Sequence, residues 1–136
     1  MSLEKINSIG TIKINDYVFA RIVLDSLRKA GDKVFPASEK GKLIGGLNQK
    51  VSTGEMAANI SITESDGECT IRFFLILTFG ASISEVTKEI LDYIEYEMKG
   101  LMPFEKGQII LKIVGTKSKK IAPRNIEIVR KYESSK

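Results

Sequence analysis

Residues 71–101 read IRFFLILTFGASISEVTKEILDYIEYEMKGL, and in this stretch an apolar strand is followed at once by a capped helix. The strand ends at Phe79-Gly80-Ala81. Ser82 can then accept a hydrogen bond from the backbone N–H of Glu85 while the Glu85 side chain reaches back to Ser82, which is the pattern of a capping box. Such a cap contributes about 1 kcal/mol and fixes where a helix begins. The sequence therefore predicts a strand joined directly to a helix.

Both elements are amphipathic. The helix carries one apolar stripe, formed by Ile83, Val86, Ile90, Ile94, Met98 and Leu101. The strand presents Cys69, Ile71, Phe73, Leu75, Leu77 and Phe79 to one side, whereas Phe74 and Ile76 point to the other. Asp66-Gly67 predicts a tight hairpin turn to an earlier strand, with alternating apolar residues from Met56 to Thr63.

The rest of the chain supplies further elements on either side. Alternation in residues 9–14 predicts a first strand, and an apolar face from Val18 to Leu27 predicts a helix that begins near Asn15-Asp16. Residues 32–55 lose periodicity and contain Pro36 and several glycines, so we interpret them as a long loop with room for a turn of helix near 43–47. Residues 108–114 predict another strand.

These elements predict an α+β fold built as a two-layer sandwich. The order is strand, helix, strand, strand, helix, strand (βαββαβ), and a four-stranded sheet with both helices on one face buries all the apolar stripes. We expect a single α+β domain over residues 1–115 and a basic C-terminal extension over 116–136. Because the extension contains Ile121, Ile126, Ile128 and Tyr132, we expect part of it to dock as a strand or a short helix.

Two surfaces are candidates for contact with a partner. Phe74 and Ile76 lie on the sheet face that the helices do not cover, and an apolar patch of this kind usually marks an interface. The second surface is basic: residues 112–136 carry eight basic and two acidic side chains, a net of +6 that leaves −2 for the rest of a chain at +4 in total. Its candidate contact residues are Lys117, Lys119, Lys120 and Arg124. A membrane, a nucleic acid or an acidic protein fits such a segment, as does a merely solvated tail.

Catalytic and metal chemistry have little support. The chain has no histidine and one cysteine, Cys69, which excludes Ser-His and Cys-His pairs and the usual zinc or iron ligand sets. Carboxylates at Glu64, Asp66 and Glu68 are explained by a polar turn, although a hard cation is the alternative. The glycines of residues 41–46 lack the Gly-Lys-Ser/Thr ending of a phosphate loop. We therefore expect no catalytic, metal or cofactor site.

At the level of motifs the chain resembles the alkaline shock protein family of envelope stress response proteins, mostly from Gram-positive bacteria. Gly10 to Val18 resembles the family's Gly, Ile-rich strand and Asp-Val helix start, and Phe79 to Val86 resembles its aromatic-Gly turn followed by Ile-Pro-Glu-Val, with Ser84 in place of the usual Pro. Gly100-Leu101 and Ile109 to Val114 resemble the end of the second helix and the last strand. The similarity spans residues 10–115 apart from the 32–55 loop.

This resemblance implies a cytoplasmic protein that is not an enzyme and self-associates as a homo-oligomer. It further implies a role in envelope homeostasis under stress and recruitment to the inner face of the membrane through a membrane-anchored partner. A small α+β nucleic-acid-binding module that uses the basic C-terminal segment is the alternative, with an affinity that falls steeply with salt. No transmembrane segment and no secretory signal are predicted.

Overall fold

A computed structural model describes residues 16–45, 51–65, 67–101 and 106–133. The helices and strands within them are α1 (Asp16–Ala30), β1 (Val34–Ala37), α2 (Thr53–Ala57), β2 (Ser61–Ser65), β3 (Glu68–Thr78), α3 (Ile83–Lys99), β4 (Lys106–Lys117) and β5 (Ile121–Glu133). A 3₁₀ turn, Gly31–Lys33, joins α1 to β1. The strand predicted at 9–14 lies outside the described residues. The class is α+β, as predicted, with a mixed, open sheet.

The sheet is organised around β3. On one edge β3 pairs in parallel with β4, which pairs antiparallel with β5. The other edge of β3 is shared between two short antiparallel strands: β2 pairs with its first half, where Ser65 lies opposite Glu68, and β1 with its second half, where Val34 lies opposite Leu77. The predicted hairpin between β2 and β3 is present, and Gly67 in its turn has a φ of 80°.

Both long helices cover the same face of this sheet, as expected. Their apolar stripes meet the inward side chains of β3 and β4 in one core, whose largest fully buried members include Phe19, Phe73, Leu75, Ile90, Ile94 and Met98. The Ser82 side chain accepts from the Glu85 N–H at 3.3 Å, so α3 begins where the sequence predicts. Both bonds of a capping box occur at the start of α2, between Ser52 and Glu55.

The predicted loop 32–55 has more structure than expected, and this prediction was wrong in part. It contains β1, which includes Pro36. Because β1 is a short edge strand, the missing N–H of this proline is tolerated. Of the helical turn predicted near 43–47, residues 46 and 47 lie outside the described residues, and Leu43 forms an isolated bridge with Ala37. Met56 and Ala57 belong to α2, which the Ser52 cap initiates, and the strand predicted from Met56 begins only at Ser61.

The C-terminal segment makes the sheet larger than the four strands expected. Strand β4 continues to Lys117, and β5 pairs with it from Ile121 opposite Lys117 to Glu133 opposite Lys106. The alternation that places Ile126 and Ile128 against the core and buries Tyr132 accounts for this pairing. The described residues therefore form five strands.

One glycine sets the spacing between β3 and β4. A Cβ added at Gly107 would overlap the backbone carbonyl oxygen of Cys69, its register partner. Only glycine permits this approach, and it keeps the start of the parallel pair closed.

Candidate interaction surfaces

The sheet face opposite α1 and α3, called the outer face below, carries a mixture of apolar, polar and charged side chains. It is formed by Thr70, Arg72 and Phe74 of β3, Gln108, Ile110 and Lys112 of β4, and Glu127, Val129 and Lys131 of β5, as the alternation with the core residues requires. None of the helices that the structure describes covers it; all three pack on the other side through core residues such as Met56. Val129 is 46% exposed, and Phe74 and Ile110 are half-buried.

The structure separates the two apolar residues that the sequence placed on this face. Phe74 remains on the outer face, between Ala37 on β1 and Lys112 on β4. Ile76 is fully buried at 0% exposure. Beside it β4 has a bulge, after which Gly115 lies opposite Ile76. Gly115 has no side chain, so the side chains of Ile76 and Ile121 occupy the space beside it. A Cβ at Gly115 would lie 2.8 Å from Ile121 Cγ2. Ile76 therefore offers no surface to a partner.

A cavity of about 460 Å³ opens on the outer face where β1 ends and β2 begins. Arg72 and Lys112 bring positive charge to it, and Glu39 brings negative charge from the segment after β1. Arg72 forms an ion pair with Glu127 at 3.3 Å across the face. The cavity is lined mostly by polar side chains and forms part of the outer face.

Three of the four predicted basic residues meet at one end of the sheet. Lys117 is the last residue of β4, and Lys119 and Lys120 lie in the turn to β5, which is closed by a bond from the Ser118 N–H to the Lys120 carbonyl at 3.1 Å. Arg124 lies farther along β5 and is exposed, and its guanidinium donates to the Pro123 carbonyl at 2.8 Å.

An aromatic side chain that the sequence interpretation assigned to the core lies beside these lysines. The Phe79 N–H donates to the Lys117 carbonyl at 2.8 Å, and the Phe79 ring is 67% exposed. The sequence did contain a signal for this exposure. Phe79 is the last residue before the Gly80-Ala81 turn, and a side chain at the end of a strand extends beyond the helices that cover the sheet. We call Lys33, Phe79, Lys117, Lys119, Lys120 and Ile121 the basic end.

Glu64 and Glu68, two of the carboxylates for which the sequence left a hard cation as the alternative, lie at the opposite end of the sheet. Glu68 forms an ion pair with Lys106 at 3.8 Å, and these two residues line a cavity of about 370 Å³ with Tyr132 and Glu133. Within the described ranges, which leave out Asp66, no group of three or more acidic or thiol side chains converges as metal ligands do. Burial raises the pKa of Cys69 to about 12, so its thiol stays protonated near neutral pH and acts as a small apolar side chain.

One polar cluster was missed by sequence reasoning. Arg130 on β5 donates to Asp92 at 2.9 Å and to Glu95 at 2.8 Å on α3, which fastens the last strand to the helix. Hydrogen bonds from Lys88 and Arg130 hold the Asp92 pKa below its ordinary value. Burial works against ionisation of Glu95, but bonds from Arg130 and Lys99 still lower its pKa. Nothing in the local sequence pairs Arg130 with a helix 35 residues away.

In the parts of the chain that the structure describes, no helix has both the length and the apolar character needed to span a bilayer.

The similarity of the chain to known proteins is at the level of a sequence family. No curated protein and no solved structure matches the chain. The sequence model of the alkaline shock protein 23 family, described as having a cell envelope-related function, matches residues 4–118. The chain therefore belongs to this family, as its motifs predict.

Proposed function

We propose that this protein is a non-catalytic adaptor of the cell envelope stress response that works as a homo-oligomer. Membership of the family indicates a cell envelope-related function, and the family is not a known enzyme family. The adaptor role and the self-association are our own extension of that statement.

The observation that carries the proposal is the composition of the outer face. A sheet with one solvated face normally shows polar side chains there, yet Phe74, Ile110 and Val129 interrupt the charges. Their charged neighbours are three cations and one anion, with Lys112 beside Glu127 and Ile110 beside both Arg72 and Val129. A surface that mixes apolar and paired charged groups resembles the interfaces of proteins that associate and separate.

A second copy of the chain is the occupant we propose for this face. In a twofold arrangement each residue meets the symmetry-related patch, so a face that carries both signs can be complementary to itself. Within the described residues Lys112 makes no ion pair, and Glu127 has one, with Arg72. Lys112 is thus available to a carboxylate of the other copy.

The location of the protein belongs to the same proposal. We place it in the cytoplasm, at the inner face of the membrane, held there by a membrane-anchored protein partner. The support is the family membership and its cell envelope-related function. Nucleic-acid binding, the alternative considered from the sequence, finds no support in the family or in the described surfaces.

Sedimentation velocity over a concentration series tests the self-association. We expect the native chain to shift to larger species as its concentration rises, and Val129→Lys to remain a monomer, because the face already carries Arg72, Lys112 and Lys131 and a further buried cation would lack a carboxylate partner. Tyr96→Lys is the matched control, since Tyr96 is 76% exposed on α3, away from the outer face. A native protein that stays monomeric at high concentration would refute the proposal.

A further inference from the structure

We propose that the basic end docks directly on an anionic lipid bilayer. This inference goes beyond recruitment by a protein partner, and it does not depend on self-association through the outer face. Its basis is the way the fold gathers cations from two separate segments around two exposed apolar side chains.

Hydrogen bonds and strand register bring these segments together. The Phe79 N–H bonds the Lys117 carbonyl, and Ile121 lies opposite Lys117 on the other side, so Phe79, Lys117 and Ile121 follow one another across the end of the sheet. Thr78 Oγ1 donates to the Asp32 carbonyl at 2.6 Å, which brings the 3₁₀ turn with Lys33 to the same end. Lys117 Nζ also lies 5.8 Å from the centre of the Phe35 ring.

The charge of this end is positive on balance, with four lysines against two carboxylates. Within the described residues Lys33, Lys119 and Lys120 take part in no salt bridge. The acidic side chains of the segments that meet here are Asp32, and Glu85 in the first turn of α3. Basic side chains near an anionic bilayer each add to its attraction, by about fivefold in affinity per lysine.

The apolar side chains distinguish a bilayer from other anionic partners. Phe79 is 67% exposed and Ile121 is 37% exposed, and they lie on either side of Lys117. Both gain from entering the boundary between headgroups and acyl chains while the lysines meet phosphates. A nucleic acid would use the Phe79 ring for stacking but gains nothing from Ile121, and a single aromatic ring is not the series of stacking platforms that single-strand binders use.

Vesicle flotation measures this docking on the full chain. We expect binding to vesicles of equal parts phosphatidylglycerol and phosphatidylcholine, little binding to pure phosphatidylcholine, and a steep loss with added salt. The double variant Lys119→Glu with Lys120→Glu should weaken binding at least about 25-fold, from two such lysine contributions. Its control is Arg21→Glu with Lys106→Glu, which changes the net charge equally away from both the basic end and the outer face and should weaken binding less than about threefold.

A fluorescence reporter tests the apolar part of the proposal. The chain has no tryptophan, so Phe79→Trp creates a single emitter at the basic end. We expect its emission to shift to shorter wavelength with anionic vesicles, because the ring leaves water. Tyr96→Trp places the same emitter on α3, and its emission should not move.

Several results would overturn the proposal. These are absence of binding to anionic vesicles, equal loss in both double variants, and an unshifted Phe79→Trp emission on bound protein. Duplex DNA that displaces the protein from vesicles at physiological salt would replace a bilayer with a nucleic acid as the partner. Sedimentation of the same samples keeps the two proposals separate, because a chain that binds vesicles as a monomer refutes the homo-oligomer and leaves the docking in place.

Discussion

Phe73 and Phe74 are consecutive residues of β3 that face opposite sides of one sheet. Phe73 is fully buried beneath the helices, whereas Phe74 is half-buried among Arg72 and Lys112 on the outer face. The inner face joins residues of both helices and both central strands into one core, and its side chains determine whether the chain folds. The outer face has only scattered apolar side chains among charged ones. Under the proposed function, one side of the same strands stabilises the fold and the other contacts a second copy.

Truncation of the two phenylalanines should give the largest contrast. We expect Phe73→Ala to lower the free energy of unfolding by about 3–5 kcal/mol, because it leaves a cavity in the core. Phe74→Ala should cost about 1 kcal/mol, since the side chain is partly in water already. Urea denaturation of both variants measures the difference, and similar losses for the two would remove the distinction between the faces.

Ile76 tests whether burial or the side of the strand decides stability, because it lies on the outer side of β3 and is nevertheless fully buried. Ile76→Ala should lower the free energy of unfolding by about 2–4 kcal/mol, as for a core residue, while leaving self-association in sedimentation unchanged. Val129→Ala, on the exposed part of the same face, is the control and should change stability by less than about 0.5 kcal/mol. If Ile76→Ala left stability intact and abolished association, Ile76 would be a contact residue after all.

These residues also show how far a sequence determines such a surface. Alternation along β3 correctly predicted the inner side chains from Cys69 to Leu77 but not Phe79, and the hairpin at Gly67 and the start of α3 were predicted as well, because period and cap are local signals. It could not predict the burial of Ile76, which depends on a bulge and a glycine in β4. Nor could it place Phe79 beside Lys117 or Arg130 beside Asp92, since those contacts join distant segments. The basic lysines were found from charge alone, but their apolar neighbours required the fold.

As with the phenylalanines, loss of an ion pair on the inner face should destabilise the fold more than loss of one on the outer face, but both effects should be smaller. Arg130 is shared between two carboxylates at the helix side of β5 and is 28% exposed. Arg130→Met, which keeps an apolar stem, should cost about 1–2 kcal/mol. Arg72→Met breaks the pair with Glu127 on the outer face, where solvent screens the charges, and should cost less than about 0.5 kcal/mol. Thermal unfolding of both variants measures this, and a reversed order would contradict it.

Acid should remove the contribution of the Arg130 cluster. The pKa values of Asp92 and Glu95 are held below their ordinary values of 3.8 and 4.5 in the folded chain. Groups with a lowered folded pKa stabilise above the unfolded pKa and lose that contribution as pH falls through the folded pKa. The stability difference between the native chain and Arg130→Met should therefore be full near neutral pH and decline below about pH 4. A difference that grows on acidification would show that the carboxylates are not what Arg130 binds.

Methyl NMR across a dilution series observes the two faces of one strand together, and it shows whether the outer face alone binds a second copy. Ile109 lies on the inner face of β4 and Ile110 on the outer face. As the concentration rises, the methyl signals of Ile110 and Val129 should shift together, while those of Ile109 and Ile90 stay in place. Signals that never move with concentration, or that move on the helices and not on the outer face, would contradict the account.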